Sequence, residues 1–117
     1  MYTDTVAHPA IQVTSRRLAA RTVVAIEGEL DIASAAALRE KLFAEFRRAR
    51  AAVVLDLSGV SFCDAAGLSV LVAARRRARL LGLSLSLAAP RPSMSRLLQI
   101  TGLQRSFDVC PTAGATA

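Results

Sequence analysis

Residues Val53-Val-Leu-Asp-Leu57 form an apolar run of strand length, and that run leaves the chain few architectures. Apolar side chains at 53, 54, 55 and 57 leave no continuous polar face, so the strand needs cover on both sides, as in a parallel sheet flanked by helices. Ser58 and Gly59 break the run. Asp64 then stands where a helix N-cap belongs, before the small and apolar residues that open the next helix. The segment reads as strand, tight loop and helix.

The flanking sequence repeats the alternation. Residues 10–18 and 21–30 read as two strands joined by a short Ala19-Ala20 connection, which suits a hairpin although it lacks an Asn-Gly turn signal. Gly28-Glu-Leu-Asp31 ends the second strand and opens a helix of about five turns, with Ala35, Leu38, Leu42 and Phe46 at helical spacing. After the 52–57 strand, a second helix runs from Ala65 to Leu81 and stops at Gly82, a favourable residue just past a helix end. Leu83-Ser-Leu-Ser-Leu87 alternates with the period of a half-buried strand. Pro90 and Pro92 lead into a short helix, Ser93 to Thr101, ending at Gly102, and 107–110 supply a last edge strand. The order β-β-α-β-α-β-α-β specifies an α/β fold, with helices packed on a mixed sheet. At 117 residues this is one domain, spanning 10–110 between flexible tails at 1–9 and 111–117.

Several classes of function are poorly served. The only histidine is His8, in the expected tail, so a serine nucleophile has no base and a zinc site has too few ligands. No lysine follows Gly59 or Gly67 in the manner of a phosphate-binding loop. The acids Glu27, Glu29, Asp31, Asp56 and Asp64 lie near strand ends, where capping explains Asp31 and Asp64 more simply than acid–base chemistry. The reading is a non-enzyme with neither metal nor cofactor. Cys63 and Cys110 lack CxxC spacing and read as two buried free thiols. The N-terminus has no basic start or apolar core of an export signal, and no apolar run reaches the ~20 residues of a membrane span, which points to the cytoplasm.

A formal charge of +6 raises nucleic acid as a partner. Fourteen of the fifteen basic residues are arginines spread over most of the chain, and aromatic content of 4% is too sparse for a base-stacking platform. Direct DNA binding is therefore a minor alternative, to be judged by whether the arginines share one face.

Wound at about 100° per residue, the second helix places Val70, Ala74, Ala78 and Leu81 on one stripe beside Leu71. That stripe is the core face. Leu68 and Val72 fall elsewhere, among Arg75, Arg76 and Arg79, and suggest an exposed apolar patch with a basic rim suited to a protein partner; the alternative is that other segments cover them. Arg77 points away from that patch. The free N–H groups of Ala65, Ala66 and Gly67 at the helix start offer an anion site, and Gly67 allows close approach of a partner or, alternatively, close packing on the preceding strand.

Two motifs in register resemble the STAS domain of bacterial anti-sigma factor antagonists. Gly28-Glu-Leu-Asp31 matches that family's segment at the end of the second strand. Leu57-Ser-Gly-Val-Ser-Phe62 with Asp64 to Leu68 matches its central signature, and Ser93 to Leu103 is similar to its third helix. The resemblance runs from about Ile11 to Val109. It implies a protein that binds an anti-sigma factor, often a serine kinase of the histidine-kinase-like ATPase fold, and so frees a sigma factor in a partner switch. Asp31, Asp64, Gly67 and Leu68 match family positions at the contact surface. The expected partner surface is Asp31, Asp64, Ala65, Ala66, Gly67, Leu68, Val72, Arg75 and Arg76.

In that family the loop commonly reads Asp-Ser-Ser-Gly-Leu, and phosphorylation of the second serine breaks the complex by adding negative charge. Here the position is Ala66, preceded by Ala65. Three readings follow: an antagonist that its partner cannot switch off; a substitute acceptor, Ser69, on the Leu68/Val72 side of the helix; or a scaffold or ligand-binding STAS module outside sigma control. The first is favoured because the acceptor of the usual off-signal is absent.

Overall fold

The computed structural model describes residues 11–112. The expected tail at 1–9, His8 with it, and residues 113–117 lie outside the described residues.

Strands β1 (Gln12–Arg17) and β2 (Arg21–Leu30) form an antiparallel hairpin, with Gln12 opposite Glu27 and Arg17 opposite Thr22. The Leu18 N–H donates to the Arg21 carbonyl at 2.8 Å and closes the turn over Ala19-Ala20. Helix α1 (Ala35–Arg48), strand β3 (Ala52–Cys63), helix α2 (Ala65–Leu80), strand β4 (Ser84–Ala88), helix α3 (Pro92–Thr101) and strand β5 (Asp108–Cys110) complete the expected order. A 3-10 turn, Leu103–Arg105, precedes β5.

The sheet order is β1-β2-β3-β4-β5, the same as the chain order. From β2 onward every pairing is parallel. Each parallel step therefore crosses over a helix in the same direction, and the right-handed rule for such crossovers sends all three helices to one face. The core follows that geometry. Leu38, Leu42 and Phe46 of α1, Leu71, Ala74 and Ala78 of α2, and Met94 and Leu98 of α3 join Val24, Ile26, Val53, Leu55 and Leu57 in one cluster.

The apolar run of β3 is covered on both faces as expected, with the correction that helices supply the cover on one face only. Val54 points to the other face and is buried with Val23 and Ala88, against Cys110, in a small cluster of strand residues alone. A second correction concerns length. β3 does not stop at 57 but continues through Ser58-Gly59 to Cys63, leaving no tight loop. β2 holds it in pairing to its own last residue, Leu30 opposite Cys63, with irregularities between Ala25 and Glu27 and between Gly28 and Glu29 that absorb the mismatch. Gly59 is required there: a Cβ would stand 2.6 Å from Glu27 Cγ and 2.9 Å from the Ile26 carbonyl oxygen.

Two helix boundaries also shift. Helix α1 starts at Ala35 and has 14 residues, about four turns, because residues 31–34 form a separate turn. Helix α2 ends in a Schellman arrangement: Gly82 adopts φ +74, its N–H donates to the Arg79 carbonyl, and the Leu83 N–H donates to the Ala78 carbonyl at 2.8 Å. Helical periodicity ends before Leu81, which is 44% exposed rather than in the core; Leu83 is buried instead. The two cysteines are free, but each is half-buried rather than buried.

Candidate functional site

Parallel strands β2 and β3 end side by side, and each passes directly into the segment that starts a helix. After Leu30, the Ser34 N–H donates to Asp31 Oδ1 at 3.0 Å while the Asp31 N–H donates to Ser34 Oγ at 3.1 Å. The Ser34 hydroxyl donates to the Glu29 carbonyl at 2.6 Å and ties this turn to the end of β2. After Cys63, the Asp64 N–H donates to the Leu30 carbonyl at 3.1 Å, which locks the two exits together.

Asp64 is the N-cap of α2, as expected. Its Oδ1 accepts the Ala66 N–H at 2.9 Å and the Gly67 N–H at 3.2 Å. These are two of the three donors expected to be open to an anion, so that expectation is corrected: the chain's own carboxylate occupies them. Gly67 is buried, not open to a partner. A Cβ at that position would lie 2.5 Å from the Leu30 carbonyl oxygen and 2.6 Å from Leu30 Cβ, so the glycine is there to let α2 pack on the end of β2.

Leu68 is only 6% exposed and belongs to the main core, and Val72 is half-buried. The expected exposed patch of Leu68 and Val72 does not exist, because the α2 face that buries Leu71 extends to Leu68. Arg75 is half-buried and Arg76 exposed, about 15 Å along the helix from Ala65 at 1.5 Å per residue. The expected residues thus separate into three groups. Asp31, Asp64, Ala65 and Ala66 gather at the strand exits. Gly67 and Leu68 are internal, and Val72, Arg75 and Arg76 lie further along the helix.

The same end carries two apolar side chains that the helical winding did not single out. Ile32 is 83% exposed in the turn after β2, and Phe62 is 50% exposed at the end of β3. Their signal was available in part: Ile32 lies outside the 35-38-42-46 stripe of α1, whereas Phe62 could be placed only once β3 was known to reach Cys63.

Beside this end, α1 and α2 enclose an open groove of about 530 Å³. Ala66, Ser69, Val70 and Ala73 line its α2 side and Arg39, Phe43 and Arg47 its α1 side. The Arg77 guanidinium lies over the Phe43 ring at 4.6 Å, and that of Arg39 at 5.3 Å. Ser69 faces this groove rather than the side of Leu68 and Val72, a further correction. Its exposed hydroxyl donates to the Ala65 and Ala66 carbonyls, both at 3.1 Å. Cys63 borders the site chemically at rest: burial, aided by the Asp64 charge, pushes its thiol up to about 11. Among the described residues no group of three or more His, Cys, Asp or Glu side chains could hold a metal ion.

The STAS domain family model matches residues 8–115, nearly the whole chain. The chain belongs to the STAS domain family. The anti-sigma-B factor antagonist of Bacillus subtilis (strain 168) is 37% identical over 86 residues, which is 74% of this chain and 78% of that protein. The crystal structure of an anti-sigma factor antagonist from Mycobacterium paratuberculosis superposes with a TM-score of 0.79 at 28% identity, covering 91% of this chain and 90% of that one. The phosphorylated form of the Bacillus cell fate determinant SpoIIAA shares the fold, with a TM-score of 0.67 at 21% identity over 92% of this chain and 96% of its own. This STAS domain has Ala65 and Ala66 immediately after the capping Asp64. Among its described residues no helix is long and apolar enough to cross a membrane.

Proposed function

We propose that the chain is an anti-sigma factor antagonist. It binds an anti-sigma factor, of the serine-kinase type, and so frees a sigma factor for transcription. The observation that carries this reading is the shared exit of β2 and β3. There Ile32 and Phe62 expose apolar surface beside Asp31, Asp64 and Ala66 on a backbone held by reciprocal hydrogen bonds. Exposed apolar side chains on a rigid, polar-rimmed end are what a protein partner needs. Ala66 offers no hydroxyl, so the partner kinase has no acceptor at that position, and the complex persists in ATP.

The test is a pull-down from the native cell extract, followed by titration of the captured anti-sigma factor. Phe62→Glu and Ile32→Glu should each weaken binding at least about tenfold by burying an unpaired charge at the interface, with circular dichroism unchanged. Intact-mass spectra after incubation with partner and ATP should show no phosphoryl adduct, whereas Ala66→Ser should acquire one. Phosphate on Ser69 of the native chain would sink the unswitchable version; failure to bind any anti-sigma factor would sink the antagonist reading.

The groove between α1 and α2 supports a second reading, a ligand-binding or scaffold STAS module outside sigma control. Its volume of about 530 Å³ lies within the ~300–1,000 Å³ of small-molecule sites. That reading predicts a co-purifying small molecule in native mass spectrometry and indifference to Phe62→Glu.

A further inference from the structure

At the opposite end of α2 from Asp64, three arginines from two segments line one cavity of about 260 Å³. Arg75 and Arg79 come from successive turns of α2, and Arg105 from the 3-10 turn before β5. The cavity wall includes buried Leu83 and Phe107, together with Ser84 and Ser106.

Among the described residues, the side chains of Arg75, Arg79 and Arg105 make no hydrogen bond and no ion pair. They are not needed as helix caps, because the Arg77, Ala78 and Arg79 carbonyls already accept the N–H groups of Leu81, Gly82 and Leu83. Asp108 is the one carboxylate among the described residues of the cavity wall, and it lies beyond ion-pair distance of all three arginines. Counting the described residues, the cavity therefore concentrates three positive charges against one negative.

We propose that this cavity is a binding site for a small multivalent oxyanion of the phosphate class. Guanidinium groups match such oxygens with paired N–H donors, and their convergence from two segments supplies donors from several directions. The Ser84 and Ser106 hydroxyls add neutral donors. Size selects within the class: about 260 Å³ falls below the ~300–1,000 Å³ range of sites for drug-sized ligands, so the cavity suits phosphate or pyrophosphate rather than a whole nucleotide. The site is separate from the β2–β3 exit and does not depend on the antagonist reading.

The experiment is calorimetric titration of the full chain with pyrophosphate and with inorganic phosphate, paired with thermal unfolding. Saturable one-to-one binding of either ion is expected, weakening as salt rises. Arg79→Gln and Arg105→Gln, both at exposed positions, should each reduce affinity by about tenfold or more, the scale of one charge-assisted hydrogen bond, while unfolding of the ligand-free protein is unchanged. Arg16→Gln, on the far edge strand, should bind like the native chain. The site is overturned by absence of binding at millimolar anion, or by equal loss in the Arg16 variant. Tight binding of a short DNA duplex that needs Arg79 and Arg105, and displaces pyrophosphate, would equally overturn the assignment to a small ion.

Discussion

Gly67 shows how little freedom the β2–β3 exit allows a single residue. Its missing Cβ makes room for the Leu30 carbonyl, a backbone atom that cannot rotate aside as a side-chain end would. Gly67→Ala should therefore destabilise the fold by about 1–3 kcal/mol, the range for overpacking a tight contact, read as a lower urea midpoint with an unchanged slope. Leu68 carries a similar lesson, because a charge there would enter the core and could not report on an interface. Cys63 gives a pH-dependent prediction. Its thiol ionises near 11 in the folded chain against 9.0 in an ordinary environment, so the folded state holds the proton more tightly than the unfolded state. The associated stability is fully present below pH 9 and is lost as pH rises through 11. Unfolding followed from pH 8 to 11 should show falling stability that Cys63→Ala abolishes; a slope unchanged by that substitution would refute it.

The capped start of α2 is the element on which the site depends most. Asp64→Ala removes an acceptor from two backbone N–H groups and should cost about 1 kcal/mol, with a range of ~0.5–2, in a denaturation experiment. Asp64→Asn should recover most of it, since an amide oxygen caps comparably well. Much of this element was legible in the sequence: Asp64 as cap, Gly82 as stop and the Val70-Ala74-Ala78 stripe are local signals read over one or two turns. The length of β3 was not legible. Ser58-Gly59 has the composition of a break, and only pairing with the ten-residue β2, bulges included, carries the strand on to Cys63. That one non-local fact decides where Phe62 lies. The burial of Leu68 is not legible for a related reason, since helical winding ranks faces by angle but does not say how far the covering layer reaches. Winding likewise assigns Ser69 to the Leu68/Val72 side, and only the position of α1 brings it to the groove.

Across the whole molecule the arginines do not share a face. Arg39, Arg47 and Arg77 gather at the α1–α2 groove, and Arg75, Arg79 and Arg105 at the far cavity. The Arg17 guanidinium donates to the Arg48 carbonyl at 2.9 Å, and that of Arg91 to the Ser58 carbonyl at 2.8 Å. Charge so divided can meet few DNA phosphates at once, so retention on a duplex-DNA column should vanish by about 0.2 M salt. Strong retention beyond that would restore nucleic acid as a partner. The strand order, identical to the chain order, has a further bearing on how the domain is made. A nascent chain leaving the ribosome can lay each strand against the one just finished, and no late segment has to be inserted between strands already in place. Until β4 emerges, however, β3 presents an open, apolar edge of the kind that pairs with other chains. Synthesis of residues 64–83 is thus the interval in which this protein is most exposed to aggregation, and in which a chaperone has most to shield.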